Sequence, residues 1–139
     1  MISVIDGGAT PRSRVILVVE DEPIIRFGLA LHLEECGFQV IEAYDAHSAI
    51  AVLQEPGCIV DLVFSDVRMP GGIDGIGLSR WVFENRPNIP VILASGEIGK
   101  ATAIQDLCGA ETMTKPFDFA NLSTRIHTAI TKKRSPNVC

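Results

Sequence analysis

Short apolar runs alternate with amphipathic segments along the chain. A short apolar run bounded by polar or turn residues is typical of a strand that is covered on both faces. We label the five predicted strands β1 to β5 in chain order. They span residues 15–19, 38–43, 59–64 and 91–94, and a weaker fifth segment runs from 109–110 to 115.

The first predicted helix, α1, follows β1. It begins at Pro23, because proline suits the first turn of a helix, and it ends before Gly37. Apolar residues recur along it at helical spacing, which is typical of the side that packs on a core. One face carries Ile24, Phe27, Gly28 and Leu31, with Ile25, Leu29 and Leu33 beside it.

Four further helices are predicted after the other strands. Asp45 can cap α2, which ends at Pro56, and α3 follows a loop rich in Gly and Pro at 69–75. A short α4 is predicted around 100–107. The last helix, α5, places Phe119, Leu122, Ile126, Ala129 and Ile130 on one face, and α3 faces inward with Leu78, Trp81 and Val82.

Five alternations of strand and helix predict an α/β fold, a doubly wound five-stranded parallel sheet with short connections. We expect one domain over residues 14–131, with tails at 1–13 and 132–139. The composition agrees with a single globular domain, since 139 residues contain 47% apolar and 21% charged residues.

Charge and hydropathy narrow the classes of partner. The net charge of −5 disfavours binding to nucleic acid, and the longest apolar run, Val15–Val19, is far shorter than a membrane span. The N-terminus lacks the pattern of a signal peptide, and the four cysteines lack metal-like spacing. We therefore expect a cytoplasmic protein with no nucleic-acid or membrane partner.

Reactive side chains follow four of the five predicted strands. Glu20 and Asp21 come directly after β1, Asp66 follows β3, Ser95 follows β4 and Lys115 follows β5. Ligands of doubly wound sheets bind beyond the carboxyl ends of the strands, so these groups are expected to converge at one edge.

Crowded carboxylates call for a cation. Two carboxylates about 4 Å apart repel by roughly 4 kcal/mol at an effective dielectric constant near 20. Carboxylate, carbonyl and water oxygens are the ligands that suit Mg²⁺. Aspartate can act as a covalent nucleophile, and a metal ion, a hydroxyl and an ammonium beside it can stabilise a phosphoryl group. The strand ends therefore indicate a phosphoryl-acceptor site.

At this point the sequence resembles the receiver domain of two-component response regulators, of the stand-alone single-domain type. The resemblance covers residues 14 to 131, and it implies the flavodoxin-like strand order 2-1-3-4-5. The matching motifs are VVEDEP at 18–23, DLVFSDVRMP at 61–70, DG at 74–75, PVILASG at 90–96, GA at 109–110 and KPF at 115–117.

The resemblance implies a metal site and a phosphoacceptor. By this resemblance, Asp66 would accept a phosphoryl group from a sensor histidine kinase or a histidine phosphotransfer protein. Asp21 would bind Mg²⁺ directly, Asp66 would belong to the same metal site, Glu20 would act mainly through water, and the backbone carbonyl of Arg68 would complete the protein ligands.

The resemblance also implies a switch and an output. By this resemblance, Ser95 would be the switch hydroxyl, Lys115 would pair with the phosphoryl group, and the Lys115–Pro116 bond would be cis. A downstream protein would dock on the α4-β5-α5 face, and the molecule would be a monomer or a phosphorylation-dependent dimer. Such a protein is a signalling module that assists its own phosphorylation and dephosphorylation, not an enzyme acting on a foreign substrate.

Two positions depart from the family pattern. Glu20 stands where aspartate is commoner, although its longer side chain still permits water-mediated metal binding. Thr112 stands three residues before Lys115, where the family usually has tyrosine or phenylalanine. We therefore expect that signalling relies on loop and α4 movement in place of aromatic rotation.

Other interpretations stay open at the level of sequence. The chain can be a receiver segment of a hybrid histidine kinase, or a receiver-like module that binds partners without phosphorylation. About eight residues follow α5, so no DNA-binding domain is expected. A phosphatase is disfavoured because Asp66-Val-Arg68 lacks a second acid, and a nucleotide or flavin binder is disfavoured because acids replace a Gly-rich loop after β1.

Overall fold

The computed structural model of the protein describes residues 13–96 and 110–132. This part of the chain holds five strands and four helices, and the predicted α4 lies outside it. The strands are β1 (Val15–Val19), β2 (Gln39–Ala43), β3 (Leu62–Asp66), β4 (Val91–Ser95) and β5 (Glu111–Thr114); the helices are α1 (Pro23–Glu35), α2 (Ala46–Gln54), α3 (Gly75–Asn85) and α5 (Phe119–Lys132).

The five strands form one parallel sheet in the order β2-β1-β3-β4-β5, which confirms the predicted fold class. The register aligns the carboxyl ends of the strands, since Val19 pairs with Ser65 and Ser95 pairs with Thr114. Strand order reverses between β1 and β3. The crevice at that point is where such sheets bind their ligands.

Each face of the sheet carries its own hydrophobic core. Side chains alternate between the two faces of a strand, so Leu17 points to one core and Ile16 to the other. The core on the Leu17 side packs against α2 and α3, and the core on the Ile16 side packs against α1 and α5. Central strands buried on both faces explain the continuous apolar runs of the sequence.

The predicted packing face of α1 is wrong. Ile24 is 83% exposed and Phe27 59% exposed, whereas Leu29 and Leu33 are buried against the sheet. Apolar residues surround most of this helix, so helical periodicity alone admits two opposite faces. The outer apolar stripe of α1, formed by Ile24, Phe27, Gly28 and Leu31, faces away from the core.

Two aromatic residues are also less buried than predicted. Phe119, at the first position of α5, is 40% exposed, while the other four predicted residues of that face are buried. Phe119 lies beside His32 of α1, with ring centroids 4.9 Å apart. Trp81 is partly buried at the margin of the core next to α3.

The third strand begins later than predicted. The predicted strand covers residues 59–64, but pairing starts at Leu62, opposite Ile16, and continues to Asp66. Ile59 is 53% exposed, and the Asp61 carboxylate accepts a hydrogen bond from the Val15 N–H at 2.8 Å. The shift places Asp66 within the end of the strand, where its backbone is fixed by the sheet.

The helix caps follow ordinary chemistry. Asp45 caps α2 as predicted, because its carboxylate accepts from the Ser48 N–H at 2.8 Å. That hydrogen bond lowers the pKa of Asp45 below its ordinary value of 3.8.

Within the described ranges, no helix combines the length and hydropathy that crossing a membrane requires.

Candidate functional site

Three carboxylates meet at the carboxyl ends of β1 and β3. One oxygen from each of Glu20, Asp21 and Asp66 lies within 4.8 Å of the others. Glu20 is only 3% exposed, Asp66 is half-buried, and Asp21 faces solvent. The structure therefore brings together the three acidic side chains that the sequence places in one metal site.

Burial makes the charge on Glu20 costly. It raises the pKa of Glu20 above the ordinary value of 4.5, and the Asp66 carboxylate raises it further. A hydrogen bond from the Glu22 N–H, 3.2 Å from Oε2, and the ammonium of Lys115 act in the opposite direction. On balance, the cluster of three acids carries excess negative charge, so it favours the binding of a cation or a proton.

Lys115 supplies one positive charge to this cluster. Its Nζ lies 2.9 Å from Oδ1 of Asp66. The Lys115 N–H donates to the Ser95 carbonyl at 2.8 Å, so β4 holds the backbone that carries the ammonium. The Lys115–Pro116 peptide bond is cis, as predicted.

Ser95 and Arg68 line the same cavity as Asp66. This open cavity of about 340 Å³ is bounded by the residues around the ends of β3, β4 and β5. Ser95 is buried at the end of β4. Arg68 also borders a neighbouring cavity that includes Asp21. Four of the six predicted site residues thus line one cavity, and Glu20 and Asp21 lie close to its Asp66 carboxylate. The individual roles of all six stay predictions.

The loop after Asp66 turns back to start α3 close to the strand end. Asp74 caps that helix by accepting from the Gly77 N–H at 2.9 Å, and the Gly75 N–H donates to the Val67 carbonyl at 2.8 Å. A Cβ at Gly75 would lie 2.8 Å from the Cα of Val67 and closer still to the Asp66 carbonyl oxygen. Glycine at 75 is therefore required for the loop that supports Asp66.

Sequence reasoning missed one side chain at the edge of the site. Nη1 of Arg26 donates to the carbonyl oxygen of Glu20 at 2.8 Å, and its Nε donates to Glu42 Oε1 at 3.1 Å. The residue lies on α1, and nothing in the apolar pattern of that helix marks it out. The sequence carried no signal for this contact, because an arginine on the surface of a helix can equally be hydrated by solvent.

The donor set fits a hard divalent cation. Three carboxylates can offer oxygens to Mg²⁺, which binds through a few carboxylates and keeps several waters. The exposed side of Asp21 leaves room for those waters. Lys115 and Ser95 line the cavity beside Asp66, and an ammonium and a hydroxyl are groups that can receive an anion.

Comparison with known proteins places the chain in a family. The family model described as response regulator receiver domain matches residues 16–127. The sensor kinase CckA of Brucella abortus is 34% identical over 87% of this chain and 13% of that protein. The phosphate regulon transcriptional regulatory protein PhoB of Escherichia coli is 37% identical over 89% of this chain and 54% of that protein. The chain thus spans about half, or much less, of the length of these curated relatives.

Solved structures agree with this placement. A response regulator receiver domain protein from Clostridium thermocellum has a TM-score of 0.79 at 28% identity, covering 86% of this chain and 95% of that one. The response regulator TrrA of Thermotoga maritima, solved in complex with Mg²⁺ and BeF, has a TM-score of 0.73 at 27% identity, covering 83% and 97%. The chain belongs to the response regulator receiver domain family of two-component systems.

Proposed function

We propose that this receiver domain accepts a phosphoryl group on Asp66 from a histidine kinase or a histidine phosphotransfer protein in the presence of Mg²⁺, and signals through protein–protein contacts. One observation carries the proposal. The Asp66 carboxylate lies close to two further acids, and it is paired with the Lys115 ammonium at 2.9 Å. That arrangement suits a nucleophile that must receive a negatively charged group.

The transfer step follows from these groups. A carboxylate oxygen of Asp66 attacks the phosphorus of a phosphohistidine, so that a P–O bond forms and the P–N bond breaks. The imidazole leaves with the electron pair and takes a proton from solvent. The ammonium of Lys115 neutralises charge on the transferred oxygens, as phosphoryl transfer requires. The product is an acyl phosphate, and the chain assists its own phosphorylation without acting on a foreign substrate.

The metal ion belongs to the acidic side of the site. Glu20, Asp21, Asp66 and the backbone carbonyl of Arg68 would hold Mg²⁺, with Glu20 contributing mainly through water. When bound, the ion supplies positive charge to the phosphoryl oxygens. Glu20 keeps its carboxylate oriented through the Glu22 N–H, and Asp21 presents its carboxylate from the solvent side.

Ser95 and Lys115 transmit the phosphorylation of Asp66 to the output face. Ser95 donates its hydroxyl to the phosphoryl group, and Lys115 exchanges the Asp66 carboxylate for a phosphoryl oxygen. Thr112 lies on β5, where the family usually places an aromatic residue, and its carbonyl accepts from Arg125 of α5 at 2.9 Å. Output through the α4-β5-α5 face therefore proceeds without aromatic rotation.

The apolar stripe of α1 is the docking surface for the phosphodonor. Its first residue, Ile24, is 83% exposed and comes three positions after Asp21, and Phe27 and Leu31 continue it along the helix. Exposed apolar residues in a row mark an interaction surface. A donor histidine has to reach Asp66, so a partner that covers α1 is placed beside the acceptor. The same chemistry serves a receiver unit within a longer kinase, the kind of protein that CckA exemplifies.

Beryllofluoride, an acyl-phosphate mimic, tests the proposal. We expect ¹⁹F NMR to detect a bound beryllofluoride signal with the wild-type chain and Mg²⁺, and to lose that signal with a chelator or in Asp66→Asn. Ser65→Ala is the control and should keep the bound signal. Ser65 precedes Asp66 on β3, and its hydroxyl donates to the backbone carbonyl of Asp66 at 2.8 Å. A bound signal that persists in Asp66→Asn contradicts the assignment.

A further inference from the structure

Arg26 connects the acidic cluster to the edge of the sheet. Its Nη1 donates to the Glu20 carbonyl oxygen at 2.8 Å, and its Nε donates to Glu42 Oε1 at 3.1 Å. The Arg26 side chain is 20% exposed and that of Glu42 is 40% exposed. The arginine thus reaches from α1 to the edge strand β2 across the end of β1.

The hydrogen bond from Arg26 acts on the Glu20 carbonyl, and the direction of this carbonyl affects both acidic residues. The carbonyl belongs to the peptide unit that joins Glu20 to Asp21, so its direction sets the path of the chain through both acids. The Glu20 N–H is already fixed to the Ala43 carbonyl at 3.0 Å, and the Glu20 carboxylate accepts from the Glu22 N–H at 3.2 Å. Arg26 adds the restraint on the carbonyl side.

The start of α1 does not supply this restraint in another way. Glu22 is the N-cap residue, and among the described residues it makes no side-chain capping hydrogen bond. Pro23 follows it and has no N–H to donate. The start of α1 is therefore tied to Glu20 at two points: the Glu22 N–H donates to the Glu20 carboxylate, and the Arg26 guanidinium donates to the Glu20 carbonyl.

We propose that Arg26, anchored by Glu42, is a positioning residue that preorganises the Glu20–Asp21 segment for cation binding. The inference rests on the proposed function, because it assumes that the acidic cluster holds Mg²⁺. Mutation of a group that orients metal ligands from outside the coordination sphere typically costs about 10- to 100-fold in metal affinity or activity. Here the orienting group acts on the backbone between two acidic residues.

If Arg26 acted only through its charge, its removal would strengthen Mg²⁺ binding, whereas loss of a positioning residue would weaken it. A guanidinium near the site repels Mg²⁺, so a purely electrostatic role means that Arg26→Met binds Mg²⁺ more tightly. A positioning role means that Arg26→Met binds Mg²⁺ more weakly, because the acids lose their fixed direction. The sign of the change therefore separates the two roles.

The chain offers a matched control at the other edge of the sheet. Nη2 of Arg125 on α5 donates to Glu111 Oε1 at 3.2 Å and to the Thr112 carbonyl at 2.9 Å, both on β5. This arginine also joins a helix to an edge strand through one carboxylate and one backbone carbonyl. Arg125→Met removes equivalent bonds while leaving the Glu20–Asp21 peptide unit untouched.

The experiment is a Mg²⁺ titration of the full chain by isothermal calorimetry, with the Mg²⁺-induced rise in Tm as a second readout. We expect Arg26→Met to raise the Kd for Mg²⁺ roughly tenfold. Arg26→Lys keeps the positive charge but cannot form the two-pronged contact, so it should also weaken binding. We expect Arg125→Met to keep the wild-type Kd.

Two further measurements make the result decisive. Labelling by acetyl phosphate should need more Mg²⁺ in Arg26→Met yet reach the wild-type rate at saturating Mg²⁺, a split that general loss of structure does not produce. If Arg26→Met does not fold, Glu42→Ala replaces it, since it removes the anchor of Arg26 from an exposed position; we expect a raised Kd there too.

The inference is overturned if the variant that folds keeps the wild-type Kd, binds Mg²⁺ more tightly, or changes no more than Arg125→Met does. Failure of the proposed function has a different signature. In that case the wild-type chain itself binds no Mg²⁺, whereas failure of the positioning role leaves wild-type binding intact.

Discussion

The Lys115 ammonium lies 2.9 Å from Oδ1 of Asp66, and this ion pair joins the last strand of the sheet to the middle one. One oxygen from each of Glu20 and Asp21 lies within 4.8 Å of an Asp66 oxygen. The ammonium therefore neutralises part of a cluster that carries three acids. Lys115 should therefore stabilise the metal-free fold but weaken the binding of a cation.

Removal of Lys115 tests this opposition. We expect Lys115→Met to lower the Tm of the metal-free chain, because the acids lose their neutralising charge, and to bind Mg²⁺ more tightly, because a competing cation is gone. Thermal melts with a chelator and with Mg²⁺ measure both effects. Lys132→Met, at the exposed end of α5, is the control and should change neither. Weaker Mg²⁺ binding by Lys115→Met speaks against this view of the cluster.

The raised pKa of Glu20 predicts how stability depends on pH. In the folded, metal-free chain Glu20 holds its proton above pH 4.5, whereas in the unfolded chain it ionises there. Its favourable contribution is complete below that pH and is lost as pH rises through the folded-state pKa. We expect Glu20→Gln to gain stability over wild type as pH rises, measured by urea unfolding with a chelator.

Asp45 provides a control of opposite sign. Its pKa is lowered by the capping hydrogen bond from Ser48, so its contribution is present above pH 3.8 and is lost as pH falls through the folded-state pKa. The difference between wild type and Asp45→Asn should therefore shrink in acid. A gap between Glu20→Gln and wild type that is independent of pH contradicts the assignment to Glu20.

Two helical glycines should respond oppositely to alanine. At Gly75 the added methyl group meets the backbone of Asp66 and Val67, so we expect a loss of about 1–3 kcal/mol and slower labelling of Asp66. At Gly28 nothing lies within 4 Å of the added carbon, and alanine should stabilise α1 by about 1 kcal/mol. Urea unfolding of both variants checks the pair, and equal effects would refute the argument.

The apolar stripe of α1 predicts a split between two phosphodonors. We expect Phe27→Ala to slow transfer from a histidine-phosphorylated protein roughly tenfold or more, since exposed aromatic anchors dominate interfaces. Labelling by acetyl phosphate, which needs no docking, should be unchanged. Ile59→Ala removes a comparably exposed apolar residue before β3 and should affect neither rate. If Phe27→Ala slowed labelling by both donors equally, Phe27 would matter for the structure of the domain and not for docking of the donor protein.

The strands and the acidic cluster were predictable because their signals are local. A continuous apolar run such as Val15–Val19 implies a buried strand, and the polar residues after it must then lie at the edge of the sheet. The packing side of α1 was not predictable. Its apolar residues fit two opposite faces, and only the position of the sheet selects Leu29 and Leu33 over Ile24 and Phe27.

Long-range polar contacts were also beyond the sequence. The bond from Arg26 to the Glu20 carbonyl depends on how α1 leaves β1, and the contact with Glu42 depends on the pairing of β1 with β2. Neither relationship has a spacing rule. The start of β3 likewise depends on the pairing of Leu62 with Ile16, which overrides the apolar residues at 59–60.

The most direct measurement is the intact mass of the chain after incubation with Mg²⁺ and acetyl phosphate. We predict the gain of one phosphoryl group in the wild-type protein, and no gain in Asp66→Asn or when Mg²⁺ is chelated. Absence of any gain in the wild-type chain, under conditions that label another receiver domain, would contradict the central claim and favour a module that binds its partners without phosphorylation.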